Sequence, residues 1–321
     1  MSTNEQIAQL RGPILRSVSR SFYLSIRLLP PKLRDPIALA YLLARATDTI
    51  ADTSEIDGAV RMAELGRLAA LIQGENLAET FPEFAAQQSN EAERTLINAV
   101  PRCLAWLRAI SPRERGEITN VLARINEGQT LDVQRFGAST GVVALATAAD
   151  LDRYTYLVAG CVGEFWTNVS FLHLPKFSTR PQDEMLRLGI EYGKGLQLIN
   201  ILRDLGGDIA AGRCYLPAEE LHSFGVTPSD LPREGPRVQR VVDSWRRRAE
   251  QGMAAGVEYA CAIKPWRVRL ATALPALIGA RTLALLREAG PEIFDMKIKV
   301  QRAEVRRILL TTVASLAAPS A

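Results

Sequence analysis

The chain has 321 residues, with 39 Lys and Arg against 35 Asp and Glu, and its 47% hydrophobic content allows a substantial core. Its small net charge, without a basic run interleaved with aromatic residues, argues against nucleic-acid binding. The four cysteines form no C-x-x-C pair and only two histidines accompany them. We therefore expect reduced thiols in a cytoplasmic protein, not a zinc site or a disulfide framework.

No Pro-, Gly- or Ser-rich linker divides the chain, so we expect one domain over residues 1–321. The N-terminus lacks the apolar core of a signal peptide, and no window holds about 18 uncharged apolar residues, the length of a membrane span. The apolar stretch from Ile308 to Ala317 is shorter than that. It fits either the end of a core helix or a contact with a bilayer surface.

The predicted elements are all helices, because Ala, Leu, Arg and Glu dominate long stretches with apolar residues at three- and four-residue spacing. Convincing strand patterns are missing. The first half of the chain is predicted to form helices over residues 4–28, 33–52, 58–74, 90–109 and 112–129. The second half is predicted to form helices over residues 148–171, 181–206, 237–262, 266–289 and 300–316.

Two of these helices place charged residues among apolar ones. Residues 36–52 (PIALAYLLARATDTIAD) are apolar almost all round, as in a helix at the centre of a protein, yet contain an arginine and two aspartates. Residues 195–208 (GLQLINILRDLGGD) repeat the pattern. Charges that lose hydration in such places need a partner, an ion or a wet cavity.

Both helices carry an aspartate pair at a spacing of four residues, Asp48 with Asp52 and Asp204 with Asp208. That spacing puts both carboxylates of a pair on one helix face, one turn apart. Mg²⁺ would relieve their repulsion, since it prefers carboxylate, water and phosphate oxygens. Two such helices facing each other would hold a diphosphate through bridging metal ions. The alternative is a chance pairing on solvated helices.

An arginine precedes each pair: Arg45 lies one turn before Asp48, and Arg203 directly precedes Asp204. Either guanidinium could be an ion-pair partner or a fork for phosphate oxygens. Two glycines, Gly206 and Gly207, predict a helix end or kink near the second pair. Residues 212–217 are interpreted as a loop that could fold over the site.

Four ordered segments between about residues 15 and 217 resemble the signatures of the squalene/phytoene synthase family. They are Ser19-Arg20-Ser21-Phe22, residues 45–52 (RATDTIAD), residues 154–164 (YTYLVAGCVGE) and residues 196–204 (LQLINILRD). The resemblance implies an all-α isoprenoid synthase fold, a helical bundle around a central hydrophobic cavity. It also implies head-to-head joining of two prenyl diphosphates through a cyclopropyl intermediate, presqualene diphosphate.

Carried onto this sequence, the resemblance assigns roles residue by residue. Asp48, Asp52, Asp204 and Asp208 would hold Mg²⁺, and Asp48 and Asp204 would thereby act in catalysis. Tyr154 would stabilise a cation or move a proton, although a tyrosine in the core is the alternative. The expected substrate and diphosphate contacts are Ser19, Arg20, Ser21, Phe22, Arg45, Gln197, Asn200 and Arg203. Ala159, Gly160 and Gly163 would permit close helix packing.

The family divides by product, and two features favour its squalene-forming branch. Thr49 follows the first aspartate, where phytoene-type members usually have a second aspartate. Lys297-Ile298-Lys299 is similar to a segment that binds NADPH, although a lysine replaces its arginine and a solvated basic turn is the alternative. Two departures put the metal stoichiometry in doubt, since Ala51 and Gly207 stand where related enzymes often have acidic residues.

The expected activity is therefore conversion of two farnesyl diphosphates to squalene with Mg²⁺ and NADPH. The alternatives are an enzyme that stops at presqualene diphosphate, a phytoene or dehydrosqualene synthase that uses no reductant, and a non-catalytic helical scaffold. The intact aspartates argue against the scaffold. We expect a monomer that lacks the C-terminal anchor of eukaryotic relatives and works peripherally at the membrane surface.

Overall fold

The computed structural model describes residues 3–19, 22–53, 55–137 and 141–317, and helices dominate these ranges. The predicted all-α fold class is confirmed. Contacts within the chain group into two compact units: Met1–Ala138 with Asn168–Pro175, and Ser139–Thr167 with Lys176–Ala321. The single domain stays a prediction, and the two units are described separately.

Unit 1 consists of helices that follow one another through short turns. They are α1 (Thr3–Gln9), a π-helical turn (Leu10–Ile14), α2 (Leu15–Ser19), α3 (Phe22–Leu28), α4 (Pro31–Asp52), α5 (Gly58–Gln73), α6 (Pro82–Gln87), α7 (Glu91–Ala109) and α8 (Pro112–Phe136). The end of α10, described below, also belongs to this unit.

Helix α4 is the core helix of unit 1 and packs against α5, α7 and α8. Its carboxyl end is fastened by side chains of other elements. Arg61 Nη1 donates to the carbonyl oxygen of Ala51 at 2.7 Å, and Gln88 Nε2 donates to Thr53 Oγ1 at 2.8 Å. These contacts hold the last turn of α4, where the first aspartate pair lies, in a fixed place.

Helix α8 begins where the Ser-Pro pair predicts but runs longer than expected. Ser111 and Glu114 form a reciprocal capping box, with Pro112 at the first helical position. The helix continues to Phe136 instead of ending at residue 129. Its apolar face extends to the buried Val133, and this extra turn packs in the core.

Unit 2 combines helices with two short strands. In chain order these are β1 (Val143–Leu145), α9 (Ala148–Thr155), a π-helical turn (Tyr156–Gly160), α10 (Cys161–His173), α11 (Gln182–Arg203), α12 (Leu205–Ala210), β2 (Arg213–Pro217), α13 (Ala218–His222), α14 (Leu231–Glu234), α15 (Gln239–Ala262), α16 (Trp266–Ala289) and α17 (Arg302–Ala317). Short 3₁₀ turns lie at Pro228–Asp230, Gly235–Val238 and Gly290–Phe294.

The two strands correct the prediction that residues 212–217 form a loop in a chain without strands. β1 and β2 pair in parallel, with Val143 opposite Arg213 and Ala144 opposite Cys214. At three and five residues they are too short to show a clear alternating pattern. The pairing anchors the segment that follows the second aspartate pair.

Glycines let α11 approach its neighbours closely in unit 2. A Cβ on Gly163 would lie 1.9 Å from the carbonyl oxygen of Gly189, and one on Gly193 would lie 2.3 Å from that of Ala159. Both distances are far below van der Waals contact. The predicted packing role is confirmed for Gly163, and a Cβ on Gly160 would lie 3.1 Å from Lys194 Cγ of α11.

The helix predicted over residues 148–171 is interrupted by the π-helical turn at Tyr156–Gly160. A π-turn inserts an extra residue into a helix and changes its direction, often at functional sites. Here the turn follows Tyr154 directly and packs against α11. The interruption therefore sets the orientation of the segment that carries the candidate tyrosine.

One helical segment of the described residues, Trp266–Phe294, has the length and composition of a membrane span, with a mean hydropathy of 1.4. Half of its most apolar window is buried inside the protein, and α16 packs against α11, α15 and α17. Burial of this kind is typical of a core helix.

Candidate active site

The first aspartate pair lies on the last two turns of α4, within unit 1. Asp48 keeps 35% of its side-chain surface accessible, whereas Asp52 is exposed. The apolar residues around Asp48 on the same helix, including Ala46, Ile50 and Ala51, are buried. The helix therefore holds the Asp48 carboxylate at the edge of a dry core.

Two side chains, one from α8 and one from α4 itself, complete the surroundings of Asp48. Gln129 Nε2, from α8, donates to Asp48 Oδ1 at 2.5 Å. Arg45 Nη1 lies 3.8 Å from Asp48 Oδ2, while its other terminal nitrogen donates to Glu93 of α7. The guanidinium is thus shared between two carboxylates and neutralises Asp48 only in part.

The electrostatic result is a carboxyl that resists ionisation. Burial, followed by the charge of Asp52, raises the pKa of Asp48 to about 7, against the lowering effects of Arg45 and Gln129. Burial opposes the charge of Arg45, but Asp48 and Glu93 outweigh it and raise the pKa of that guanidinium. The ionised form of Asp48 is therefore compensated only in part by Arg45 and Gln129.

Two residues of the first motif, Arg20 and Ser21, lie outside the described residues. Ser19 is buried. Its hydroxyl donates a hydrogen bond to the carbonyl oxygen of Leu15 at 2.5 Å, so its proton is bound within the helix. Phe22 is 48% exposed and stacks on Tyr41 with ring centroids 6.0 Å apart.

The second aspartate pair lies at a helix break in unit 2. Helix α11 ends at Arg203, Asp204 adopts a non-helical conformation, and α12 begins at Leu205. The predicted break is therefore present, but at the first aspartate of the pair. Gly206 has a packing cause, since a Cβ there would lie 2.2 Å from the carbonyl oxygen of Phe294.

Three cations surround this second pair. Arg203 Nη2 lies 2.5 Å from Asp204 Oδ2, Lys297 Nζ lies 3.3 Å from Asp204 Oδ1, and Arg213 Nη2 lies 3.1 Å from Asp208 Oδ1. Burial opposes ionisation of Asp204, but Arg203 and Lys297 outweigh it and lower its pKa. Both carboxylates of this pair are ion-paired.

The other predicted side chains of unit 2 cluster in two places. Gln197 and Asn200 lie one turn apart on α11, and Asn200 Nδ2 donates to Gln197 Oε1 at 3.3 Å. Tyr154 stacks on Tyr215 of β2, with ring centroids 5.0 Å apart and an interplanar angle of 23°. The stacked partner fixes the plane of the candidate tyrosine ring.

The basic segment before α17 is extended and alternates in burial. Ile298 and Val300 are buried, whereas Lys297 and Lys299 are exposed. The two ammonium groups thus emerge on the solvent side of a segment anchored by its apolar residues. Such a pair suits a phosphate-bearing cofactor, and Lys297 also reaches Asp204.

The acidic pairs fit magnesium by the chemistry of their donors. Asp204 Oδ1 is buried and has Lys297 Nζ beside it at 3.3 Å, and Asp48 lies next to a second carboxylate on the same helix face. No three His, Cys, Asp or Glu side chains of the described ranges converge on one point. Two-carboxylate sites completed by water and phosphate oxygens are the usual form for Mg²⁺.

Sequence reasoning missed Gln129 and Arg213, which contact an aspartate of each pair, and Glu93, which contacts Arg45. Gln129 had a visible signal, because it falls on the apolar stripe of α8 formed by Ile118, Leu122 and Ile125. A polar side chain at such a position needs a partner. Glu93 has no comparable signal, since it belongs to a segment rich in charge, and Arg213 begins a strand of five residues that is too short to show a pattern.

Comparison with known proteins agrees with the predicted fold and family. Residues 15–307 match the family model described as squalene/phytoene synthase. A squalene synthase from Yarrowia lipolytica is 25% identical over 92% of this chain, and a bifunctional lycopene cyclase/phytoene synthase from Arthroderma gypseum is 28% identical over 90% of it. The chain spans 65% and 48% of the lengths of these two relatives.

The solved structure of TcSQS in complex with a ligand is similar in fold. It superimposes with a TM-score of 0.80 at 22% identity, over 98% of this chain and 89% of that one. The family whose model matches consists of prenyltransferase-type enzymes. The chain belongs to the squalene/phytoene synthase family.

Proposed function

We propose that this protein condenses two molecules of farnesyl diphosphate head to head, through presqualene diphosphate, and reduces the product to squalene with NADPH. The observation that carries the proposal is the pair of acidic sites, one in each unit. Each has two aspartates on adjacent turns and an arginine beside them. Together they offer the charges that two allylic diphosphates require.

The aspartates Asp48, Asp52, Asp204 and Asp208 would hold magnesium. When bound, magnesium would neutralise diphosphate and stabilise it as a leaving group. Arg45 and Arg203 already sit beside these carboxylates and would donate to the diphosphate oxygens, together with Arg20 of the first motif. Gln197 and Asn200 would add neutral donors from the same face of α11.

The reaction makes two successive demands on the protein. Departure of one diphosphate leaves an allylic cation, which the double bond of the second farnesyl chain attacks, and loss of a proton closes the cyclopropane ring. Departure of the second diphosphate starts a rearrangement to a cation that accepts hydride from NADPH. Tyr154, with its ring held by Tyr215, would stabilise the cation or relay the proton.

The reductant would be held by Lys297 and Lys299. Their ammonium groups would pair with the phosphates of NADPH, and the neighbouring Asp204 ties this segment to the second acidic site. The nicotinamide would supply the hydride that turns the final cation into squalene. We propose no dinucleotide-binding fold, because none of the described helices and strands forms one.

A second candidate is condensation without reduction, ending at phytoene, dehydrosqualene or presqualene diphosphate. The matched phytoene synthase of Arthroderma gypseum favours it. The replacement of arginine by Lys299 also weakens the proposed reductant site. A catalytically inactive scaffold is disfavoured, since all four aspartates are present.

We further propose that the protein works as a monomer at the cytoplasmic membrane surface. Both its substrate chain and its product are hydrocarbons that partition into lipid. The exposed Leu310 and Val313 of α17, next to Arg306 and Arg307, would suit transient contact with an anionic bilayer.

Product analysis tests the proposal directly. Purified protein is incubated with farnesyl diphosphate and Mg²⁺, with and without NADPH, and the products are identified by mass spectrometry. Squalene formed only with NADPH is the expected result. Presqualene diphosphate accumulating in both reactions, or dehydrosqualene formed regardless of NADPH, would replace the proposal by the second candidate.

A further inference from the structure

Gln129 is the only side chain of another helix for which a hydrogen bond to Asp48 is seen among the described residues. Its Nε2 lies 2.5 Å from Asp48 Oδ1, and the two residues are 81 positions apart in sequence. Both belong to unit 1, where α4 and α8 pack along each other. The contact thus links the candidate metal ligand to the core of the unit.

Placing a polar side chain at the position of Gln129 costs free energy unless the side chain forms a hydrogen bond. It occupies the stripe of α8 that otherwise buries Ile118, Leu122, Ile125 and Val133 against the rest of unit 1. A leucine or methionine there would extend the apolar face. The Gln129 amide instead donates a hydrogen bond to the Asp48 carboxylate.

The chemistry of an amide suits a metal-binding carboxylate. Its N–H stabilises the ionised form of Asp48 and fixes the rotation of the carboxylate, but it brings no positive charge that would compete with a cation. Oδ2 faces only the longer 3.8 Å ion pair with Arg45, whose guanidinium is shared with Glu93. One oxygen of Asp48 is therefore anchored, and the other keeps its acceptor capacity.

We propose that Gln129 is a positioning residue, which holds the Asp48 carboxylate in the orientation that a divalent cation bound with diphosphate requires. The inference rests on the proposed function, since it takes Asp48 to be a magnesium ligand. It adds a residue that acts through Asp48 without touching the substrate. Outer contacts of this kind typically change metal affinity by about 10-fold to 100-fold when removed.

The test replaces Gln129 by Met, which has a similar length and no donor, and by Glu, which has the same shape but adds a negative charge. Gln134→Met is the matched control, because Gln134 lies on the exposed face of the same helix. Binding of Mg²⁺ in the presence of inorganic pyrophosphate is measured by calorimetry. Circular dichroism and thermal unfolding report whether each variant keeps its fold.

We expect Gln129→Met to weaken Mg²⁺ binding about 10-fold to 100-fold, with the control unchanged. Turnover by this variant should recover at high Mg²⁺ concentration, because only the affinity is impaired. A residue with a merely structural role would lower turnover without changing its Mg²⁺ dependence. Unchanged Mg²⁺ binding by both folded variants would overturn the inference.

Asp48→Asn separates this inference from the proposed function. If it abolishes Mg²⁺ and pyrophosphate binding while Gln129→Met binds normally, only the positioning role is wrong. If Asp48→Asn itself binds Mg²⁺ and pyrophosphate like the unchanged protein, the magnesium assignment of the proposed function fails as well.

Discussion

The two acidic pairs have the same spacing and opposite electrostatics. On α4, one shared guanidinium and one neutral amide face Asp48, and its pKa is raised to about 7. After α11, three cations pair with Asp204 and Asp208, and the pKa of Asp204 is lowered. The same sequence pattern therefore places Asp48 where burial disfavours its ionised form and Asp204 where neighbouring cations stabilise it.

This difference indicates different tasks for the two pairs. A carboxylate with an unmet charge gains more from a bound cation than one that is already ion-paired. In the proposed function, Asp48 would depend more strongly on Mg²⁺, whereas the second pair would exchange a protein cation for metal or keep it as a contact to diphosphate. Lys297 is the most exposed of the three cations, with 75% of its side-chain surface accessible, and would be the first to be displaced.

The largest expected effect comes from removing the charge of either pair. Asp48→Asn and Asp204→Asn each delete a proposed magnesium ligand and should lower turnover by more than about 100-fold. Product formation from farnesyl diphosphate is measured over a range of Mg²⁺ concentrations. If the comparison holds, added Mg²⁺ rescues Asp204→Asn more than Asp48→Asn.

Asp35→Asn is the control for this experiment. Asp35 lies on the same helix as Asp48 but pairs with Arg11 at 3.2 Å near the surface, so its loss should leave turnover unchanged. Near-normal activity of Asp48→Asn would contradict the assignment of the α4 pair to metal binding.

A smaller effect is expected at Lys297, where the two roles of the second site can be separated. Lys297→Met removes the ammonium that pairs with Asp204 and, in the proposal, with NADPH. Loss of one charged contact should raise the NADPH concentration needed for half-maximal squalene formation about 10-fold. The ratio of reduced to unreduced product, measured by mass spectrometry, follows this loss.

Lys299→Met shows whether the change in NADPH dependence comes from losing any positive charge in residues 297–299 or from losing the contact between Lys297 and Asp204. Lys299 carries the same charge two residues away, and only the Lys297 variant should also change the Mg²⁺ dependence. If neither variant alters the use of NADPH, the proposed reductant site is wrong and Lys297 serves only to neutralise Asp204.

The positions of the two aspartate pairs could be predicted from the sequence, but the charges that surround each pair could not. The apolar surroundings of Asp48 and the four-residue spacing identified both pairs, because a helix maps sequence spacing directly onto a face. Gly206 and Gly207 predict a helix break near the second pair, and the structure places this break at Asp204, before both glycines. Its position depends on packing against the carbonyl oxygen of Phe294, far along the chain.

The partners of the aspartates follow from tertiary contacts that no local pattern specifies. Gln129 approaches Asp48 across 81 residues, and Arg213 approaches Asp208 because β2 pairs with β1. Strands of three and five residues leave almost no periodic signal. The charge balance of each pair, which decides its chemistry, is therefore a property of the fold.

The smallest expected effect concerns stability without metal. In the folded protein the pKa of Asp48 is about 7, against an ordinary value of 3.8. Between these values the folded state binds a proton that the unfolded state releases, so stability falls as the pH rises from about 4 to about 7. With solvent screening of a partly exposed group, the cost above pH 7 is about 1 kcal/mol.

Asp48→Asn removes this cost and should raise the melting temperature by about 2 °C at pH 8 in EDTA, with the advantage vanishing near pH 4. Asp204→Asn should do the reverse at pH 8, since it breaks the pair with Arg203 that favours the ionised carboxylate. Thermal unfolding of both variants across this range checks the opposite signs. If both shifts had the same sign, the electrostatic contrast between the two pairs would not hold, whatever their role in catalysis.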